Sequence, residues 1–321
     1  MLSDHLAPPQ KLIYENGMTT EDDHDHNIED YLNSFTYKKF DRIECCGSSR
    51  YLFCPECLKL LVLEGDRPTC LRSGDLRLPF RLDVVLDDRR GSATGLHAIS
   101  LLHASSCAVN NSPNCNLFDT NRGEAPPTAD DEDGNRADTF LLFPCPGQSV
   151  PISSVANRIR RLVVLDCKWT KPSAKDLPGL ASLQKVHLTN PPAKSHFWRW
   201  HNAGVGMLST IEAIYYAAKE VAGYRNDFPD QWTTNLICLL FLFAEQRASI
   251  RFSSAIKGRI LPFSEAGKRA QRALRETPEK WAKDRELGKQ MKLNSRIERK
   301  RKETEQSVAG VAQTLHAMSI N

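Results

Sequence analysis

Short apolar runs alternate with longer stretches of helical period through the middle of this chain. Arg77-Leu-Pro-Phe-Arg-Leu-Asp-Val-Val-Leu86, Thr139–Phe143, Arg161–Leu165 and Leu183–Leu188 are brief and rich in branched residues. Most are closed by Asp or Pro, and runs of this kind predict buried strands. Helical patterns cover about 92–105, 208–221 and 234–247. Strands alternating with helices predict an α/β fold with a mostly parallel sheet flanked by helices. In such sheets ligands gather at the carboxyl ends of the strands. Two distinctive segments fall at such ends, Phe143-Pro-Cys-Pro-Gly-Gln-Ser149 and Asp166-Cys-Lys-Trp169.

Outside this pattern the chain changes character. Residues 1–40 predict an acidic flexible tail, with eight Asp/Glu against the single Lys11 up to Tyr31. Residues 41–72 carry a cysteine-rich knuckle, and 73–253 form the main α/β domain. An acidic insertion over 119–138 has almost no large apolar residue, as expected of a solvated loop. Residues 254–321 predict a basic helical extension: Lys257–Lys302 holds 16 Lys/Arg against six Asp/Glu. A basic segment of that density suits polyanion binding or nuclear import, as against a merely solvated helix. The nucleus is therefore the expected location, with the cytoplasm as the alternative.

Composition narrows the class. At 321 residues, 40% hydrophobic and 26% charged, the chain fits one elaborated soluble domain with tails. The apolar run Leu236–Ala244 has nine residues, well short of the ~20 a membrane span needs. Met1–Gln10 lacks the basic start and apolar core of a secretory signal. Ten cysteines without such a signal predict thiols or metal ligands before disulfides.

Cys54-x-x-Cys57 has the spacing that lets two thiolates share a tetrahedral zinc. Cys46 offers a third ligand across a Gly-Ser-Ser turn, and the fourth is Cys45, Cys70 or solvent. Ser209-Thr210-Ile-Glu212 matches the capping box that begins a helix, and a helix N-terminus also attracts anions. Asp166 ends an apolar strand, where a carboxylate meets ligands, and Trp169 suits either core packing or base stacking. Phe197-Trp-Arg-Trp200 interleaves aromatics with a base, a pattern of nucleic-acid contact or of half-buried aromatics beside a surface Arg. The chain has no GxGxxG after a strand, no GxxxxGK[ST] and no GxSxG, so dinucleotide binding, P-loop chemistry and serine hydrolysis lack support.

Taken in order, these segments resemble the DTW-domain family of tRNA-uridine aminocarboxypropyltransferases, from about Cys45 to Gln246. The most specific stretches are Phe197-Trp-Arg199 and Leu208-Ser-Thr-Ile-Glu-Ala-Ile-Tyr-Tyr216. The name-giving Asp-x-x-Trp motif stands as Asp166-Cys-Lys-Trp169, without the hydroxyl residue usual at its centre. Phe143-Pro144 through Ser149 matches the family's Phe-Pro segment, and Ser92-Ala-Thr-Gly-Leu-His97 its earlier helix start. The cysteines follow its C-x2-C-x7-C-x2-C ribbon from Cys46 onward, with Ile43 in place of the first.

The resemblance implies a knotted or SPOUT-like fold. It implies transfer of the 3-amino-3-carboxypropyl group of S-adenosylmethionine to N3 of a tRNA uridine, in the D-loop, releasing methylthioadenosine. It also implies roles for particular residues. Asp166 and Trp169 are the catalytic candidates, Asp166 as base or orienter. Phe143, Pro144, Gly147, Ser149, Ser209, Thr210 and Glu212 would hold the cofactor. Thr94, His97, Trp198 and Arg199 would meet tRNA, and Cys46, Cys54 and Cys57 would hold a structural zinc. The alternatives are a SPOUT-type RNA methyltransferase, which would leave S-adenosylhomocysteine, and a non-catalytic RNA-binding zinc protein.

Overall fold

The computed structural model describes residues 21–127, 138–145, 147–167, 178–192, 195–198 and 207–257. The chain divides into two units, 1–259 and 260–321, and the described residues all belong to the first. Trp169, Arg199 and the basic extension past Lys257 lie outside the described residues.

Six parallel strands form the sheet: β3 (Arg81–Leu86), β4 (Cys115–Asp119), β5 (Thr139–Leu142), β6 (Ser149–Pro151), β7 (Arg161–Asp166) and β8 (Gln184–His187). Their order is β4-β3-β7-β5-β8-β6. Two later strands are thus intercalated between earlier ones, β7 between β3 and β5, and β8 between β5 and β6. The four predicted strands are present within a few residues of their expected limits. The edge strands β4 and β6 were not predicted, because both are short and half-exposed and carry Asn or Pro.

One sheet face packs Val85, Leu141 and Val163 against Leu180 and Leu183, from and just after α4 (Pro178–Ala181). The opposite face carries α3 (Gly95–Ala108) and α5 (Thr210–Gly223), which begin beside each other: a Cβ on Gly95 would lie 3.0 Å from Val84 and 3.2 Å from Thr210. The stretch expected as one helix over 234–247 divides into α6 (Asp230–Asn235), a 3-10 turn over Leu236–Leu240, and α7 (Phe241–Ile256).

Two flanking expectations are corrected. The N-terminal acidic segment contains α1 (Glu21–Ser34), whose Ile28 and Leu32 are 1% exposed. These two lie at i, i+4, with Tyr31 and Phe35 completing an apolar stripe. The stripe docks on α7, where Arg247 donates to the Leu32 carbonyl and the Asn33 side chain, each at 3.2 Å. The acidic insertion also begins inside the fold. Asp119 ends β4 at 2% exposure, and Pro126 and Pro127 pack on Gly179. Residues 128–137 lie outside the described residues.

A small two-stranded hairpin, β1 (Ile43–Cys45) with β2 (Ser48–Arg50), stands apart from the main sheet. Its two-residue turn, Cys46-Gly47, has φ of +49° and +71°. Positive φ at both central residues is what a type I′ hairpin requires, and Gly47 meets it without strain. Among the described residues, no helix is long and apolar enough to cross a membrane.

Candidate functional site

Because all six strands are parallel, their carboxyl ends share one edge. Register places Asp119, Leu86 and Asp166 in one row across β4, β3 and β7. Asp166 is 5% exposed, and its Oδ2 accepts from the Gly95 amide at 2.6 Å, at the N-terminus of α3. The contact leaves no room for a larger residue, since a Cβ on Gly95 would sit 2.8 Å from Asp166 Oδ2. At the same junction the Ile211 amide of α5 donates to Thr94 Oγ1 at 3.4 Å. Two helix N-termini therefore converge where Asp166 ends its strand.

The loop after β5 lies along the same edge. Phe143 packs against the Val85–Leu141–Val163 cluster, and its amide donates to the Val186 carbonyl at 2.9 Å. Cys145 to Ser149 closes as a turn: Ser149 Oγ accepts from the Cys145 amide at 3.1 Å and lies 2.9 Å from His187 Nδ1, at the end of β8. Gly147 takes φ +72°, and among the described residues nothing lies within 4 Å of the position a Cβ would take. Cys167 stands next to Asp166. Burial, and then the charges of Asp166, Asp87 and Asp88, push its thiol up to about 11.

The capping box at Ser209–Glu212 forms with both reciprocal bonds. Glu212, assigned above to the cofactor, is instead committed to the protein. Its carboxylate accepts from the Ser195 hydroxyl and the His196 amide at 2.7 Å each, and from the Ser209 amide at 2.9 Å and hydroxyl at 2.6 Å. It clamps the 195–198 segment to the start of α5.

Three residues expected to meet RNA are buried. Thr94 is 5% and His97 2% exposed. His97 sets its ring edgewise to Phe53 at 5.2 Å, and burial pushes its imidazole down to about 3, so it stays neutral. Trp198, 8% exposed, packs on Phe197 at 4.7 Å and Phe243 at 5.0 Å. It belongs to the core.

Beside the edge sits the cysteine knuckle. The Sγ atoms of Cys45, Cys46, Cys54 and Cys57 lie within 4.8 Å of one another. Zn–S bonds of about 2.3 Å in a tetrahedron put sulfurs about 3.8 Å apart, so this donor set fits zinc. Burial opposes ionisation of Cys54, but the backbone N–H groups of Cys57 and Glu56, together with the Cys45 and Cys57 thiols, bring its thiol down to about 7. Adjacent Cys45 and Cys46 both join the group, with Cys45 in the role of the fourth donor. Cys70 does not. It is 5% exposed and joined to Cys238 in a disulfide, while the other eight cysteines are free, in keeping with the expectation of thiols or metal ligands before disulfides.

Arg90 and Asp119 were not singled out in the sequence, since a lone Arg in a loop carries no signal. Arg90 donates through Nη1 to the carbonyls of Pro55 (2.6 Å) and Glu56 (3.0 Å), and through Nε to Asp119 (2.7 Å). Arg122 bridges Glu56 and Asp119. Phe53 and Leu58 pack on Leu86, Ala93 and Leu96. The knuckle is thus braced against the loop that delivers Gly95 to Asp166. No protein-family model, curated protein or solved structure matches this chain.

Proposed function

We propose that the chain is a tRNA-uridine aminocarboxypropyltransferase, using S-adenosylmethionine as group donor, on a SPOUT-like domain with a structural zinc in its knuckle. The observation that carries this reading is the junction at the carboxyl edge. There Asp166, the paired N-termini of α3 and α5, and the Phe143–Ser149 turn stand together. The intercalation of β7 and β8 between earlier strands is the ordering that favours a SPOUT-like assignment.

S-adenosylmethionine supplies a sulfonium that activates three carbons, so selecting one is a problem of alignment at ~3–3.5 Å. The edge suits such a donor. The hydroxyl of Thr210, at the start of α5, offers a donor to a carboxylate. Gly147 lets the loop backbone approach a ligand closely. Asp166, held by the Gly95 amide, is placed to orient the uridine imide by accepting its N3 proton in a hydrogen bond. The fixed geometry makes orientation its main contribution. Cys45, Cys46, Cys54 and Cys57 would hold the zinc, whose part would be to shape the knuckle that Arg90 ties to the edge. The nucleus is the proposed location, on the basic stretch that follows Lys257.

Mass spectrometry of unmodified tRNA after incubation with the protein and S-adenosylmethionine tests the reading. The expected product is a uridine carrying an aminocarboxypropyl group, with methylthioadenosine released. Asp166→Asn, which still accepts from Gly95, is expected to fold and to lose activity by at least about a hundredfold. A methyl-sized gain on the RNA, or no gain, overturns the proposal.

A further inference from the structure

Tyr37 and Phe252 stack face to face, ring centroids 4.0 Å apart and planes 1° from parallel. Both are open to solvent, at 41% and 44% exposure, and Ile256 stands 70% exposed one turn beyond Phe252 on α7. A parallel aromatic pair normally sits inside a core, so an exposed one leaves an outer π-face without a covering group. Lys38 and Lys39 follow Tyr37 in the chain, Arg251 precedes Phe252, Lys257 follows α7, and all four are exposed. Lys38 pairs with Asp66 at 3.4 Å, and Arg251 donates to Asn33 at 3.2 Å.

We infer that the Tyr37–Phe252 stack, with Lys39, Arg251 and Lys257, is a platform for single-stranded RNA, one unstacked base lying on its outer ring face and the flanking phosphates meeting the cations. Flat aromatic faces edged by Lys and Arg are what an unpaired nucleobase and its backbone require, and every base offers a π-face. An acidic peptide would use the cations but gain little from the flat ring. The aromatic-plus-basic surface expected at Phe197–Trp200 does not form with Phe197 and Trp198, which are buried. The pair formed by Phe252 on α7 and Tyr37 before β1 takes that role. The inference is independent of the transfer reaction, since neither ring belongs to the carboxyl edge.

Binding of a short fluorescein-labelled oligouridylate to the full chain, without S-adenosylmethionine, tests it. The double substitution Tyr37→Leu with Phe252→Leu keeps apolar area and removes the π-faces. It is expected to weaken binding about tenfold, the scale of one lost base–aromatic stack, with the melting temperature unchanged. Trp at both positions is expected to preserve affinity. Replacing Lys39 and Lys257 with Ala is expected to flatten the salt dependence by about 0.7 per lost phosphate contact. An oligouridylate carrying 5-iodouridine is expected to photocrosslink to the peptide holding Tyr37 or Phe252. Wild-type affinity in the Leu double variant, or crosslinks confined to other peptides, overturns the proposal. Failure of the transfer assay with the platform intact would reject only the enzymatic reading.

Discussion

Three buried side chains, Asp166, His97 and Trp198, show how far single residues could be read. Asp166 was legible because an acid closing an apolar strand has few structural reasons to be there. The burial of His97 and Trp198 was not, because an aromatic beside a base looks the same on a surface as under one. Only the packing of Phe53 and Phe243 decides it. Buried neutral His97 has a measurable consequence. An unfolded histidine titrates near 6.5, whereas burial holds the folded one down to about 3. Below pH 6.5 the unfolded chain therefore binds a proton that the folded chain refuses, and stability falls as pH drops towards 3. The slope from this group approaches ~1.4 kcal/mol per pH unit. Urea unfolding at pH 7 and pH 5 is expected to show that loss in the wild type. His97→Phe, which keeps the edgewise ring contact, should remove about that share of it; an identical pH response in both proteins would refute the assignment.

At the level of elements, periodicity found what packing made regular. Buried β3, β5 and β7 read clearly because every position is apolar or nearly so. The edge strands β4 and β6 lacked that signal, and α1 was hidden because Ile28 and Leu32, which carry its register, stand in an acidic sequence. Leu236–Ala244 misled for the opposite reason: a run apolar at almost every position has no phase, so it could not show where the 3-10 turn gives way to α7. The capping box was legible, and its larger role was not, because Ser195 and His196 are distant in sequence. Glu212 joins that segment to α5 through four donors. Glu212→Gln turns an NH2 group towards one or more of these donors, at a cost of about 2–3 kcal/mol. A fall of roughly 5–10 °C in melting temperature is expected, together with faster amide exchange at His196 and Ser209. Unchanged exchange at those two amides would show that the clamp is dispensable.

The molecule as a whole joins a metal-type knuckle to a sheet edge through a handful of contacts. The four thiols, the Arg90 bonds to the Pro55 and Glu56 carbonyls, and the Gly95–Asp166 contact form a continuous series. Elemental analysis is expected to find one zinc per chain. Cys54→Ser, or a strong chelator, should lower the melting temperature and speed amide exchange over Arg90–His97. Zinc loss without any change in that stretch would show that the knuckle and the edge are energetically separate.

The order of the strands has a consequence for how the chain comes into being. On the ribosome β3, β4 and β5 emerge well before β7, yet β3 and β5 do not pair with each other and gain their shared neighbour only when β7 arrives. The nascent sheet thus waits with open edges for a strand still to be made, and again for β8. Such non-local, all-parallel pairing is slow to form, and unpaired edges invite association between chains. Synthesis arrested before Arg161 should yield insoluble, protease-sensitive chains, whereas release after α7 should yield a soluble domain.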